Sequence, residues 1–151
     1  MKPPKIWKTI KQPEGSLICI AAVTAMALGK SLKYVCRLMK PSYHEDGRPY
    51  YRTREMLKVL GSHGIHCGLI AIGDGKFSKK IRLSCNIPMI DMLAILTVPS
   101  PEITGAYHVV FWDGQVVRDP LPNVADEMPL ESYNLKEIVP LVYRDETFKG
   151  V

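Results

Sequence analysis

The segment YHVVFWDGQVVRDP, residues 107–120, constrains this chain's fold more than any other stretch. Asp113-Gly114 stands between two apolar runs, which predicts a β-hairpin closed by a two-residue type I′ turn. A two-residue turn fixes the register: Trp112 faces Gln115, Phe111 faces Val116, Val110 faces Val117, Val109 faces Arg118 and His108 faces Asp119. An imidazole and a carboxylate are then expected on one face with Cβ atoms about 5 Å apart. Such a pair suits a carboxylate that orients a catalytic histidine and fixes its tautomer, and it leaves a nucleophile to be found.

With 151 residues, the chain fits a single domain over 1–151 with room for a real core. Cys19, Cys36, Cys67 and Cys85 are too sparse and irregular for a disulfide framework, so a reducing, cytoplasmic setting is expected. The formal charge of +5 permits weak attraction to acidic partners. It comes from scattered residues. Lys2, Lys5, Lys8 and Lys11, and then Lys76, Lys79, Lys80 and Arg82, read as solvated faces, and nucleic acid is not expected as a partner. The run LICIAAVTAMAL at 17–28 imitates a secretory signal, but Pro13, Glu14 and Gly15 interrupt its charged flank and it is too short to cross a bilayer. A buried helix of a soluble protein is expected there, with no membrane partner.

The chain is helical first and β later. Ser16 is a plausible N-cap and Gly29 a plausible C′ residue for a helix over 17–28, with Ile18, Ala22, Ala25, Met26 and Leu28 at helical spacing. A second helix runs from Leu32 to Met39 and stops before Pro41. A third starts near Thr53, with Met56, Leu57 and Leu60 on one face and Gly61 beyond. PSYHEDGRPYY, between these two, reads as a polar loop. IHCGLIAI, MLAILTV, the hairpin and IVPLVY read as strands, separated by GDG, NIP and PSPEITG.

Cys19 is the candidate nucleophile. Counted from Ser16 as N-cap it is the third helical position, where unpaired backbone N–H groups and the helix dipole favour a thiolate. A lone cysteine in an apolar run is more often a small buried hydrophobe. Its companions argue for chemistry: a helix-starting cysteine, a downstream histidine at a strand start and a carboxylate paired to that histidine form a Cys-His-Asp constellation in chain order.

CIAAVTAMALGKSLKYV, with Cys19, Ala22, Ala25, Met26 and Gly29, resembles the active-site helix of the small papain-like cysteine peptidases related to the bacteriocin-processing, double-glycine-leader peptidases. Gln12 stands seven residues before Cys19, like the oxyanion-hole glutamine of that clan. REMLKVLGSHGI resembles the helix behind it, and LTVPS and YHVVFWDGQVVRDP resemble the strands that carry the histidine and aspartate. One departure is Ile20, where many members have glycine after the cysteine. The resemblance implies an α+β, papain-like fold whose N-terminal helical part carries the nucleophile helix, packed on a C-terminal antiparallel sheet. It implies Cys19 as nucleophile, His108 as general base and acid, Asp119 as orienter and Gln12 in the oxyanion hole. The expected activity is hydrolysis of a peptide or isopeptide bond through a thioester. A deamidase or transglutaminase-like acyl transferase on the same fold, and a non-catalytic binding or inhibitor module, are the alternatives; all would engage a protein or peptide. Oligomeric state is not readable.

The remaining motifs have plain structural readings. His63, His66 and Cys67, with Cys85, straddle a helix end and a strand start without a recognisable ligand spacing, so no metal is expected, nor any cofactor. Gly29-Lys30-Ser31 imitates the end of a phosphate loop but follows its helix, so it reads as a C-cap. Asp46-Gly47 and Asp74-Gly75 read as turns.

Overall fold

The computed structural model describes residues 1–71 and 92–144. GDG, NIP, Asp74-Gly75, the basic stretch from Lys76 to Arg82, and Cys85 as a metal ligand all lie outside the described residues.

Helix α1 (Cys19–Leu28) is apolar on every side because every side is covered: Ala21 through Leu28 are all buried. A helix that is apolar all round belongs in a core. Its one polar core residue, Thr24, bonds back to the Ile20 carbonyl at 2.6 Å. The helix ends at Gly29, whose φ of 62° lets Gly29 N–H reach Met26 O and Lys30 N–H reach Ala25 O, a Schellman closure. Helix α2 (Leu32–Leu38) is capped by Ser31, which accepts from Tyr34 N–H at 3.2 Å.

Helix α3 (Thr53–Ser62) buries Met56, Val59 and Leu60. Leu57, expected on that face, is instead 40% exposed, and Val59 takes its place. Gly61 lies inside the helix. The expected loop between α2 and α3 contains a short hairpin, β1 (Ser42–Tyr43) and β2 (Pro49–Tyr50), turned at Asp46-Gly47. Its strands were hidden by turn-forming residues, and an Asp46–Arg48 pair at 2.7 Å fastens the tip.

The main sheet is antiparallel. It holds β3 (Ile65–Cys67), β4 (Ile70–Ala71), β5 (Leu93–Pro99), β6 (Tyr107–Trp112), β7 (Val117–Arg118) and β8 (Glu137–Tyr143), in the order β3-β8-β5-β6-β7, with β4 also paired to β8. IHCGLIAI is thus two strands. Gly68 divides them where its backbone meets Pro140, and an added Cβ would lie 3.1 Å from that ring.

The two faces of the sheet are covered differently. Ile95, Val109, Phe111, Val139 and Leu141 pack with all three helices, and Trp7 of the N-terminal segment sets its ring 4.9 Å from Phe111. Leu96, Val110, Trp112 and Val117 pack with Leu130 and Leu135 of the return to β8. Alternation along β6 explains the split, because Val109 and Phe111 face one way and Val110 and Trp112 the other. Among the described residues no single helix is long and apolar enough to cross a membrane.

Candidate active site

The hairpin forms, but its turn differs from the one expected. Trp112 pairs with Val117 and Phe111 with Arg118, so Asp113–Val116 make a four-residue loop. A type I′ turn needs positive φ at both central residues, and Asp113 is not in that region. Its carboxylate is used otherwise: Oδ1 accepts N–H from Gln115 and Val116, both at 2.9 Å, and Oδ2 accepts from Arg118 Nε at 2.7 Å. The register therefore moves by two residues. A shift of two keeps every side chain on its own face, so His108 and Asp119 change from direct to diagonal neighbours without parting.

His108 Nε2 lies 2.8 Å from Asp119 Oδ1, and both residues are buried. Hydrogen bonding from the Cys19 side chain also acts on the His108 ring and favours its protonated form. With Nε2 engaged by the carboxylate, Nδ1 is the nitrogen left for the sulfur. Cys19 gets there by a shorter route than expected. Ser16 does not cap the helix: α1 begins two residues later, Ile18 is the N-cap residue without a side-chain cap bond, and Cys19 is the first helical position. Leu17 bridges to Tyr50 of β2, which ties this residue to the β1–β2 hairpin just before the helix starts. At the first position the Cys19 backbone N–H has no partner within the helix.

Gln12 is 4% exposed. Its Nε2 donates to the Ser16 carbonyl at 2.7 Å, and its backbone N–H donates to Pro120 O at 2.8 Å. Among the described residues nothing pairs with Gln12 Oε1 or with the Ser16 hydroxyl, although both are buried. Lys11 ties this segment to the loop after β7: its Nζ donates to the carbonyls of Asp119, Leu121 and Val124 at 2.9, 3.0 and 2.6 Å. It is no solvated lysine, as its place in the N-terminal basic series had implied. It spans the two segments that carry Gln12 and Asp119.

No protein-family model and no curated protein matches the sequence. Solved structures do. The peptidase domain of Streptococcus ComA, a bi-functional ABC transporter involved in a quorum-sensing pathway, superposes with a TM-score of 0.58 at 17% identity, covering 92% of this chain and 100% of that one. A double-glycine motif protease from an AMS/PCAT transporter, in complex with the leader peptide, gives 0.54 at 14% identity, over 93% and 97% of the two chains. The fold is that of a papain-like peptidase domain.

In this papain-like fold the residues singled out in the sequence come together from far apart. Gln12, Cys19 and His108 line one cleft of about 180 Å³ with Ser16, Leu17 and Leu121. One wall is the β1–β2 region, where the His44 and Tyr50 rings lie 4.6 Å apart. The other is the 100–106 loop with Ile103 and Tyr107, ordered by Ser100 Oγ, which accepts N–H from Glu102 and Ile103. The wall from β1–β2 was missed in the sequence because its residues read as a polar loop.

The charges at the site reinforce one another. Burial works against a protonated His108, but hydrogen bonds to Asp119 and Cys19 outweigh it and push the imidazole up to about 9. For Asp119, burial favours the neutral acid. The His108 bond, the Leu121 N–H and Tyr133 prevail and hold the carboxyl below its ordinary value. Tyr133 was not singled out in the sequence, and no spacing or motif marks it; its hydroxyl donates to Asp119 Oδ2 at 2.7 Å. His63 lies elsewhere, with its ring bonded to Tyr34 and to the Val59 carbonyl.

Proposed function

We propose that this chain is a cysteine peptidase, with Cys19 as nucleophile, His108 as base and acid, Asp119 as orienter and Gln12 as an oxyanion donor. The observation that carries the reading is the meeting of Gln12, Cys19 and His108 in one cleft, with His108 hydrogen-bonded to Asp119 and influenced by the Cys19 thiol. The likeness to two peptidase domains supports it, and the leader peptide bound to one of them supports a peptide as substrate.

His108 holds the proton of Cys19, and Sγ attacks the carbonyl carbon of a peptide lying between the β1–β2 wall and the 100–106 loop. The carbonyl oxygen becomes an oxyanion. In this reading two donors hold it: the Cys19 backbone N–H at the helix start, and the second N–H of Gln12 Nε2, whose first is spent on Ser16. The C–N bond breaks as His108 gives its proton to the departing amine, leaving a thioester on Cys19. Water, deprotonated by His108, adds to the thioester; the C–S bond breaks, the acid leaves and Cys19 regains its proton.

Comparing new peptide N-termini in cells that express the wild-type chain or Cys19→Ala tests the function. Termini that appear only with the wild type are expected. Identical sets, with a cellular effect that survives Cys19→Ala but is lost on changing the cleft walls, would favour the binding-module alternative.

A further inference from the structure

Asp119 uses its two oxygens unequally. Oδ1 takes both His108 Nε2 at 2.8 Å and the Leu121 N–H at 3.0 Å. Oδ2 takes the Tyr133 hydroxyl at 2.7 Å. A carboxylate held through one oxygen alone can still turn about its Cβ–Cγ bond, which would swing Oδ1 off the axis of the imidazole N–H. An open pocket of about 190 Å³ borders the pair, lined by Val98, His108, Asp119, Ser132 and Tyr133 among others. The plane of the carboxylate is therefore set by hydrogen bonds, and the bond to Oδ2 is the one that stops the rotation.

Tyr133 is itself anchored. It follows a single 3-10 turn, Leu130–Ser132, whose Leu130 is buried in the cluster on the outer face of the sheet, and Tyr133 N–H closes the turn on Leu130 O at 3.1 Å. Its hydroxyl is the donor because the partner is a carboxylate. Burial first, and Asp119 second, hold the phenol protonated well above its ordinary range.

We propose that Tyr133 is a positioning residue of this site: by donating to Asp119 Oδ2 it fixes the carboxylate plane, and through Asp119 it fixes the ring of His108. The proposal rests on reading Cys19, His108 and Asp119 as one catalytic unit. It adds to that unit a side chain on the far side from the cleft, which touches neither substrate nor sulfur.

Four forms of the full chain test it: wild type, Tyr133→Phe, Asp119→Asn and the double variant. The main readout is the NMR titration of the His108 ring, which needs no substrate. Loss of the Tyr133 hydroxyl should lower the His108 midpoint by about half a pH unit, because a carboxylate free to turn supports the imidazolium less well. In the Asp119→Asn background the same change should leave the midpoint where it is. Alkylation of Cys19 by iodoacetamide near pH 7 should slow about threefold in Tyr133→Phe, and only when Asp119 is intact.

An unchanged midpoint, or one that rises because the tyrosine merely withdrew charge from Asp119, would overturn the proposal. So would an equal shift in both backgrounds. Should Tyr133→Phe fail to fold, the Tyr133 hydroxyl proton is the second measurement. In the wild type it should exchange slowly, and in Asp119→Asn rapidly; fast exchange in both would overturn the proposal. A wild-type Cys19 no more reactive than Cys36 would instead tell against the peptidase reading, and the His108 titration would still decide the role of Tyr133.

Discussion

The two halves of the site are finished to different degrees. On the hairpin side, Asp119 is 2% exposed and accepts hydrogen bonds from His108, Leu121 and Tyr133, so its carboxylate is fully engaged. On the helix side, α1 starts without a side-chain cap among the described residues, and Gln12 Oε1 and the Ser16 hydroxyl are buried without partners. A buried polar atom left unpaired costs about 1–3 kcal/mol, so the helix side is the less fully satisfied half among the described residues. Chains break the rules of polar satisfaction mainly where function requires it. The contrast is one of hydrogen bonding: on the hairpin side the Asp119 carboxylate is paired through both oxygens, while on the helix side an amide oxygen and a hydroxyl beside the cleft are without partners among the described residues.

The sharpest way to break the comparison is to remove the sulfur. Cys19→Ala should abolish peptide cleavage while costing at most about 1–2 kcal/mol in chemical denaturation, because the side chain stands at an open helix start. A large stability loss would mean that Cys19 is a packing residue.

Next in size is the saturated half. Asp119→Asn should keep the fold and lower turnover, since a neutral amide can accept from the His108 ring but no longer supplies the charge that stabilises its protonated form. Steady-state kinetics on a cleaved peptide would show the effect in kcat more than in KM. Gln12→Ala should cost about 100-fold, as for one oxyanion donor. A loss confined to KM would place Gln12 in ground-state binding and weaken the account of the helix side.

The pH dependence of stability gives a smaller effect. His108 is raised from 6.5 to about 9, so its contribution is complete below its unfolded value and fades as pH rises through about 9. Asp119 is lowered from 3.8, so its contribution is present above that value and fades as pH falls through the folded one. Urea denaturation should therefore give a higher unfolding free energy near pH 6 than near pH 10. In Asp119→Asn this difference should shrink. An equal difference in both chains would mean that the pair does not couple to folding.

How far the sequence could be read depended on whether a signal was local. Periodicity and Gly29 marked α1 because burial and an αL closure leave their trace in adjacent residues. The pairing of His108 with Asp119 was legible for a subtler reason: the expected register was wrong by two residues, and alternation forgives an even error. The turn itself was misread because Asp113 spends its carboxylate on Gln115, Val116 and Arg118, a side-chain choice that a dipeptide rule does not contain. Ser16 was misread as a cap, and the segment before α1 is tied instead through Leu17 to Tyr50, more than thirty residues away in sequence. Tyr133 acts on a residue 14 positions away and Lys11 on residues 108 or more positions away. Neither has a neighbour in sequence that announces its role.

The central claim is that His108 activates Cys19, and competitive alkylation tests it most directly. Cys19, Cys36 and Cys67 are all partly exposed free thiols, so access alone does not favour any one of them strongly. Under limiting iodoacetamide near pH 6, followed by peptide mass spectrometry, the account predicts that Cys19 is labelled at least tenfold faster than the other two, and that His108→Ala removes this lead. Labelling of Cys19 at the same rate as Cys36 and Cys67, or a lead that survives His108→Ala, would contradict it.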